Sequence, residues 1–507
     1  MKIVSVFVST KDQHTVRQYI ATEDRLEELL DIQAGDKPEN MIFSDNKPAI
    51  LVRNAQIEIL PDWYNHLVPY IFPPHITLQE NTFLGTIFGL LDNFEKTWDY
   101  LQEYPLLQEW DNYVRIKNGY PIDVQDFERA IKHQDNFEKY RASHNLALVQ
   151  YYIYPHEPYS IPKTHDCFKI AIEYAPDDVF RAFSIKHYAN FLLDYAEAKA
   201  AAALIEYALK PTQNPVIKAS LKFVLVQAMV KMLSVPYDPE LLKALKENLW
   251  ETLQFYESKQ CLSEAGMLLM DAAFIAQIDH SFSEALSYLN KAIQYLESEE
   301  LDEMLGTAWF RKGILLYTWS KSGSPQFYKS AIESFQQALK IFDKETTPEI
   351  FADIHHHLGI IYSEMPDENK KRGVWAALSA SSFKEALAYF TKADFPYEYA
   401  SVSNNYANAM TLYPPMKKAD NYAKALELYE EALSVRDAQT YPYERALTLI
   451  NFLEASWYVS NEEDSFNEIR YRDMVAKALE IKNLVDDPQL HEEAQKHLEE
   501  LEKLGKI

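Results

Sequence analysis

Residues Leu305–Phe342 read LGTAWFRKGILLYTWSKSGSPQFYKSAIESFQQALKIF, and this stretch decides the fold. In its first half, Trp309, Gly313 and Tyr317 are four residues apart, so they lie on nearly one stripe of a helix. The second half places one apolar face of another helix at Ala331, Phe335, Ala338 and Phe342. The small residue in each half lets the two helices pack closely, and the bulky residues fill the space beside them. The stretch therefore predicts a packed pair of helices.

This unit recurs along the chain. The register of the first helix passes at intervals of 46, 46, 48 and 46 residues through Met267, Gly313, Gly359, Ala407 and Leu453. The second helix repeats at intervals of 46, 55, 39 and 46 residues through Ala292, Ala338, Ala393, Ala432 and Ala478. Periods of about 20 to 50 residues are typical of solenoids, whose units stack on their neighbours to complete a core.

The anchors resemble those of the tetratricopeptide repeat (TPR). In that family the first helix carries Leu-Gly and Tyr, here Leu358-Gly359 with Tyr362, and the second carries alternating alanine and aromatic residues. The matching second-helix positions are Phe383, Ala386, Phe390 and Ala393, and in the next unit Tyr422, Ala425, Tyr429 and Ala432. The unit here runs to about 46 residues instead of about 34, and the phrase Phe395–Ala400 is similar to long bacterial repeat arrays. The resemblance implies a mostly α fold, an α-α superhelix (TPR-like solenoid) with a small N-terminal α/β module.

The patterns divide the chain into five segments. Residues 1–80 are expected to form the α/β module and 81–123 an aromatic-rich helical connector. Residues 124–262 read as a degenerate helical-repeat region, and 263–482 as five TPR-like helix pairs. Residues 483–507 are expected to form a C-terminal capping segment, in which Pro488–Leu504 predicts an amphipathic helix with the charged outer side that a cap requires.

Local patterns give further expectations for the first half of the chain. In the α/β module, Ile3–Val8 predicts a strand, Thr15–Leu30 a helix, and Ala49–Leu60 a strand or strand pair, followed by the proline-rich stretch from Pro61 to Pro74. Beyond it, proline-bounded helices are predicted over Val124–Tyr152, Thr164–Glu173, Asp178–Tyr207, Val216–Leu233 and Pro239–Glu257.

Composition narrows the classes of partner. The 507 residues are 47% hydrophobic and carry a formal net charge of −26, a field that repels phosphate backbones, so no nucleic-acid partner is expected. Apolar runs of about 18 residues are absent, so no spanning helix or membrane partner is expected. Cys167 and Cys261 form no CxxC pair, which suits a reducing compartment. With no signal-peptide pattern at the N-terminus, the expected location is the cytoplasm.

The resemblance also implies where a partner would bind, because the first helices of TPR arrays line a concave groove. One turn before and after each anchor, the groove-facing residues would be Phe310, Ile314, Tyr317, Asp353, His356, Ser363, Asn404, Asn408, Thr411, Glu454 and Trp457. Asn404 and Asn408 are an i, i+4 amide pair that could grip the backbone of a peptide. Alternatively, these side chains are solvated or satisfy neighbouring helix ends.

The best-known TPR groove binds a C-terminal carboxylate through lysine, asparagine and arginine at fixed positions. The corresponding places here are occupied by Phe310, His356, Asn404 and Ile450, none of which is lysine. Only Arg311 and Asn408 resemble that pattern. An uncharged or basic ligand therefore fits the acidic field better than a carboxylate tail.

Motifs for catalysis or metal binding are incomplete. Adjacent histidines at His355–His357 point about 100° apart on a helix, and Asp353 with His357 supplies only two ligands. His491-Glu492 opens like a zinc-protease motif, but Gln495 stands where the second histidine must be. His165-Asp166-Cys167 is a local run without separated catalytic roles. We expect no cofactor, no metal and no enzymatic activity.

The expected function is a protein-interaction scaffold or adaptor that binds a protein or peptide in the groove. Two alternatives remain open at this stage: a regulatory ligand sensor with the N-terminal module as its input, and an enzyme with its site in residues 1–120. Self-association as a homo-oligomer through end helices also remains open.

Overall fold

The computed structural model describes residues 3–35, 47–299, 301–366, 371–415, 420–460 and 466–505. The chain forms two compact units, Met1–Leu268 (unit 1) and Leu269–Ile507 (unit 2). Both consist mainly of consecutive helices that pack on their chain neighbours, and the strands lie at the start of unit 1. The predicted fold class, a mostly α repeat with a small N-terminal α/β module, is confirmed.

Unit 1 begins with a five-stranded sheet in the order β2-β1-β3-β4-β5. The strands are β1 Val4–Val8, β2 Leu30–Ala34, β3 Ala49–Arg53, β4 Gln56–Ile59 and β5 Ile76–Thr77. Strand β1 is central, fully buried and parallel to both neighbours, whereas β3 and β4 form an antiparallel hairpin. The strands predicted at Ile3–Val8 and Ala49–Leu60 are therefore confirmed.

The single helix predicted over Thr15–Leu30 is wrong. Helix α1 spans Gln13–Ile20, a short 3-10 helix covers Leu26–Leu29, and Leu30 pairs with Val4 as the first residue of β2. The leucines that suggested a helical face instead fill the 3-10 turn and the sheet edge. Pairing with the buried strand β1 outweighs the local helical pattern, as tertiary context commonly does for short segments.

The helices of unit 1 follow the sheet. They are α2 Glu80–Leu90, α3 Phe94–Leu101, α4 Leu106–Asn118, α5 Gln125–Ile131, α6 Asn136–Tyr152, α7 Ser160–Tyr174, α8 Asp178–Asp194, α9 Ala198–Leu209, α10 Pro215–Met232 and α11 Pro239–Ser258. From α6 onward they pack in consecutive pairs, and α8 also contacts α10. We call α6, α8 and α10 the first helices of unit 1.

Two predicted helices are each divided in two. The helix expected over Val124–Tyr152 breaks before α6, where the Asp135 carboxylate accepts a hydrogen bond from the Glu138 amide and caps a new helix. The helix expected over Asp178–Tyr207 breaks at Ala196, whose φ of 61° lies in the left-handed region. The apolar period continues across both breaks, which is why the pattern alone did not show them.

The unit boundary falls within α12 Leu262–Ile278, and the remaining helices belong to unit 2. They are α13 Phe282–Ser298, α14 Asp302–Lys321, α15 Tyr328–Ala338, α16 Pro348–Glu364, α17 Arg372–Tyr389, α18 Pro396–Leu412, α19 Asn421–Leu433, α20 Pro442–Ser456, α21 Glu468–Leu484 and α22 Pro488–Leu504. We call α14, α16, α18 and α20 the first helices of unit 2. Each packs most extensively on a neighbouring helix, and α16 also contacts α18.

The small anchors make the close approach that their spacing predicts. A Cβ atom added at Gly313 would lie 2.8 Å from the Phe335 ring, and one added at Gly359 would lie 2.9 Å from Phe383. Helices α14 and α16 therefore each meet an aromatic ring of the following helix at a residue without a side chain. Phe342 is also buried, although α15 ends four residues earlier at Ala338.

Helix α22 covers the end of the array with the bounds that its pattern suggested. The Asp487 carboxylate accepts hydrogen bonds from the Gln489 and Leu490 amides, which caps the helix start. Its buried face is formed by Leu490, Ala494 and Leu501. Among the described residues, no helix combines the length and apolar character needed to cross a membrane.

Candidate functional site

The first helices of unit 1 hold a non-helical stretch of the same chain. Between β4 and β5, residues 61–74 (the 61–74 segment) form neither helix nor strand. Four of the segment's aromatic residues are nonetheless almost fully buried: Trp63 is 2% exposed, and Tyr64, Tyr70 and Phe72 are also buried. The segment therefore occupies a surface that would otherwise be open along α6, α8 and α10.

Asn145 on α6 makes the most specific contact. Its Oδ1 accepts a hydrogen bond from the Ile71 amide at 2.9 Å, and its Nδ2 donates to the Ile71 carbonyl oxygen at 2.9 Å. One side-chain amide thus satisfies both backbone groups of one residue. Both residues are buried, so these polar groups depend on each other and not on solvent.

His144 on α6 also contacts the backbone of the same segment. His144 Nε2 lies 2.7 Å from the Pro69 carbonyl oxygen, and its Nδ1 lies 2.8 Å from Ser184 Oγ. Because burial lowers the pKa of His144 to about 4, the ring is neutral at physiological pH. A neutral ring that donates from Nε2 to the carbonyl leaves Nδ1 to accept from the serine hydroxyl.

Lys186 on α8 contacts another part of the 61–74 segment. Its Nζ donates to the Trp63 carbonyl oxygen at 3.2 Å and to Asn65 Oδ1 at 2.8 Å. Ser220 on α10 donates to the same Trp63 carbonyl at 3.1 Å. Lys186 is only 2% exposed, and burial lowers its pKa to about 8.

Helix position relates this surface to the first helices of unit 2. His144 and Lys186 are each the ninth residue of their helix, and Asn145 is the tenth of α6. In α14, α16, α18 and α20 the ninth residues are Phe310, His356, Asn404 and Ile450. The helix positions of His144, Asn145 and Lys186 thus match the register inferred to face the groove in unit 2, whereas Ser220 is the sixth residue of α10. We call the surface formed by the ninth and tenth residues of these four helices the unit 2 face.

The centre of the unit 2 face carries amides. Asn405, the tenth residue of α18, donates from Nδ2 to His356 Nε2 at 2.9 Å. The Asn404 Nδ2 lies 3.4 Å from Asn405 Oδ1, and Asn404 Oδ1 has no hydrogen-bond partner among the described residues. Asn404 is 9% exposed, so this acceptor is buried and unsatisfied. Burial lowers the pKa of His356 to about 3, so its ring is neutral and can accept from Asn405.

Asn408 lies close to Asn404 in sequence but is held by another helix. Its Oδ1 accepts a 2.6 Å hydrogen bond from the Tyr429 hydroxyl of α19. The amide in direct contact with Asn404 is therefore that of Asn405, which the sequence-based site did not include. One signal was available: Ser143-His144-Asn145-Leu146-Ala147 in α6 aligns with Ser403-Asn404-Asn405-Tyr406-Ala407 in α18.

Three other predicted residues lie toward the C-terminal ends of their helices. The Tyr317 hydroxyl donates to Glu364 Oε2 at 3.0 Å. Ser363 and Thr411 each donate to a carbonyl oxygen of their own helix, at Ile360 and Asn408 respectively. These residues are only partly buried.

The last predicted residues occupy the flanks. Phe310 packs edge-on against Phe335, and Ile314 lies in the same apolar cluster. Asp353 Oδ1 is 3.8 Å from His357 Nε2. Glu454 is exposed, whereas the Trp457 indole donates to His497 of α22 at 3.0 Å. The described ranges contain no group of three or more His, Cys, Asp or Glu residues that could hold a metal ion.

No protein-family model and no curated protein matches the chain. Among solved structures it is similar to yeast Tom70, with 14% identity over 84% of this chain and 82% of that chain and a TM-score of 0.36. A STAND signal-transduction ATPase with a tetratricopeptide repeat sensor, from Pyrococcus horikoshii, matches with 13% identity over 99% and 81% of the two chains and a TM-score of 0.36. The P58(IPK) TPR domain matches at 13% identity over 82% and 99%, with a TM-score of 0.23. At these levels the similarities carry no argument about function, and the TPR-like fold is established by the chain's own helix pairs.

Proposed function

We propose that this chain is a protein-interaction scaffold, and that its unit 2 face binds a non-helical segment of a partner protein through the segment's backbone. The observation that carries the proposal is the 61–74 segment in unit 1. There, the ninth and tenth residues of α6 and the ninth residue of α8 bind backbone carbonyl and amide groups of an irregular chain segment. Unit 2 presents the same helix positions with amide and imidazole side chains.

The unsatisfied acceptor on Asn404 gives a reason for binding. A buried polar atom without a partner costs about 1–3 kcal/mol, and a backbone N–H of a partner would remove this cost. Asn405 is already oriented by its bond to His356, so little side-chain freedom is lost on binding. By analogy with Asn145, we assign the two amides of α18 to one residue of the partner's backbone.

The charge of the chain restricts the partner. A formal net charge of −26 favours an uncharged or basic segment over an acidic one and speeds its association at low salt. We therefore expect binding to weaken as salt is raised when the partner segment is basic, and to be nearly independent of salt when it is neutral.

The test is selection of binding peptides from a displayed random library with the full-length chain, followed by affinity measurement. The variant pair Asn404→Ala with Asn405→Ala is compared with Asn483→Ala, which removes an exposed amide from α21. Asn408 is left intact, because its loss would leave the buried Tyr429 hydroxyl without its partner. Each selected peptide is also made with single backbone N-methyl groups.

We expect the double variant to weaken binding at least ten-fold and Asn483→Ala to leave it unchanged. N-methylation at one peptide position should abolish binding where alanine substitution at that position does not, since the amide hydrogen and not the side chain is bound. Equal binding by the double variant, or tolerance of N-methylation at every position, would show that the unit 2 face does not act in this way.

Deletion of residues 1–120 does not separate the scaffold from the sensor hypothesis. That deletion removes the 61–74 segment and uncovers Asn145 and Lys186, which are buried beneath it. Loss of partner binding after this deletion could then be caused by damage to unit 1, so it would not show which hypothesis is correct. Point variants on the unit 2 face avoid this ambiguity.

A further inference from the structure

Unit 2 contains a half-open cavity of about 460 Å³ at the C-terminal ends of α16 and α18. Its aromatic walls are Tyr328, Tyr362, Trp375 and Tyr413. The Tyr362 and Trp375 rings are nearly parallel, with an interplanar angle of 14° and centroids 5.8 Å apart. The volume suits one small organic molecule, since ligand sites in proteins usually measure about 300–1,000 Å³.

One acidic group of the lining is already neutralised. Glu364 Oε2 accepts hydrogen bonds from the Tyr317 hydroxyl at 3.0 Å and the Tyr328 hydroxyl at 3.5 Å, and it pairs with Lys321 Nζ at 3.0 Å. The carboxylate and the lysine therefore compensate each other and leave little capacity for a ligand cation.

Arg372 is the charged group that remains. Among the described residues its guanidinium bonds only the Leu412 carbonyl oxygen, at 3.4 Å, which leaves most of its five N–H donors available. It is the first residue of α17, and Trp375 and Ala376 from the start of the same helix also line the cavity. A helix start carries partial positive charge, which adds to that of the guanidinium.

We infer that this cavity binds a small aromatic carboxylate, with its ring against Tyr362 and Trp375 and its carboxylate on Arg372. The planar guanidinium pairs with a carboxylate through two parallel hydrogen bonds, and the aromatic walls remove the ring from water. A local cation is required here because the field of the whole chain repels anions. The inference concerns a site outside the unit 2 face and does not depend on peptide binding.

The test uses benzoate and indole-3-acetate as probes, with benzamide and indole-3-acetamide as neutral matches of the same shape. Binding to the full-length chain is measured by calorimetry. Arg372→Gln is compared with Lys371→Gln, which removes the same charge one residue earlier at a side chain that does not line the cavity. Trp375→Phe tests the aromatic wall, and circular dichroism confirms that each variant is folded.

We expect at least one acid to bind, its amide to bind at least ten-fold more weakly, and Arg372→Gln to weaken the acid at least ten-fold. Lys371→Gln should change the affinity less than two-fold. Equal binding of acid and amide, equal effects of the two charge variants, or no binding of either acid at 10 mM (about the weakest useful affinity for so small a ligand) would overturn the inference. A short peptide ending in tryptophan, free or amidated, shows whether an aromatic C-terminus can supply the same chemistry. Asn404→Ala with Asn405→Ala should leave probe binding unchanged, so a failure here is distinguishable from a failure of the peptide-binding proposal.

Discussion

Replacing Asn145 by alanine tests the central observation, that unit 1 holds its own segment by backbone hydrogen bonds. The variant leaves the Ile71 amide and carbonyl without partners, and Ile71 is only 4% exposed. Each of the two unpaired buried groups costs about 1–3 kcal/mol, so the expected destabilisation of the segment is about 2–6 kcal/mol. The matched variant is Asn405→Ala, at the same tenth position of α18. Because Asn405 and its main partner His356 are only partly buried, about 1 kcal/mol or less is expected there.

Hydrogen–deuterium exchange is the appropriate assay, because a chain with two compact units need not unfold in one step. A loss of 2 kcal/mol corresponds to about a 30-fold faster opening of the Ile71 amide. The increase should be confined to the 61–74 segment and the adjoining turns of α6. The prediction fails if Asn145→Ala accelerates exchange of the Ile71 amide no more than Asn405→Ala does. In that case the two hydrogen bonds of Asn145 do not hold the 61–74 segment, and backbone recognition on the unit 2 face loses the observation on which it is based.

Three further predictions concern packing and titration. Gly313→Ala should lower the free energy of unfolding by up to about 2 kcal/mol, because the clash with Phe335 costs about 1–3 kcal/mol and the helix propensity of alanine returns about 1 kcal/mol. Phe335→Leu in the same chain should relieve part of this loss. Additive effects of the two substitutions in urea titrations would contradict the contact. The free energy of unfolding of the wild-type chain, relative to that of Lys186→Met, should rise by up to about 3 kcal/mol between about pH 8 and pH 10.5. The buried ammonium of Lys186 has a pKa of about 8 instead of 10.5, so the unfolded chain binds one more proton than the folded chain over this range. A difference between the two chains that does not change with pH would refute burial as the cause of the lowered pKa. In a Cys261→Ser variant, the remaining thiol belongs to Cys167, whose burial raises its pKa to about 12. This thiol should not react with a disulfide reagent until urea unfolds unit 1. Rapid reaction in the folded chain would show that Cys167 is accessible to solvent.

The repeat was predictable because its signal is local and recurrent. In α14 and α16 a small residue stands where an aromatic ring approaches, and Gly313 and Gly359 meet Phe335 and Phe383 as their spacing implies. The bounds of α22 followed from Asp487 and Pro488, an N-cap and first-turn signal directly before an amphipathic run.

The predictions that failed depend on contacts distant in sequence. Leu30 joins a strand because β1 lies beside it, and no pattern within Thr15–Leu30 reports that neighbour. The partners of Asn145 and Lys186 lie 74 and 123 residues earlier in the chain, at Ile71 and Trp63. A single sequence shows the amide and the lysine as two polar residues on apolar helices, and the proline-rich stretch as a linker.

Comparison of the two units also bears on what a partner segment would look like. In unit 1, His144 and Asn145 are paired with the backbone of the 61–74 segment, although His187 Nε2, at the tenth position of α8, has no partner among the described residues. On the unit 2 face, Asn404 Oδ1 likewise has no partner among the described residues. More than about 90% of buried polar groups in folded proteins are satisfied, so the unsatisfied acceptor of Asn404 supports the proposal that a partner's backbone N–H binds there. Of the four ninth residues, Ile450 is buried in a hydrophobic cluster and Phe310 packs against Phe335, so His356 and Asn404 are the polar positions proposed to meet a partner. First helices are spaced by about 8–10 Å, and an extended chain advances about 3.3 Å per residue, so the four positions span roughly nine residues. We therefore expect a partner segment to present its backbone at the centre of this span, opposite His356 and Asn404, and the N-methyl scan of selected peptides would display which peptide positions do so.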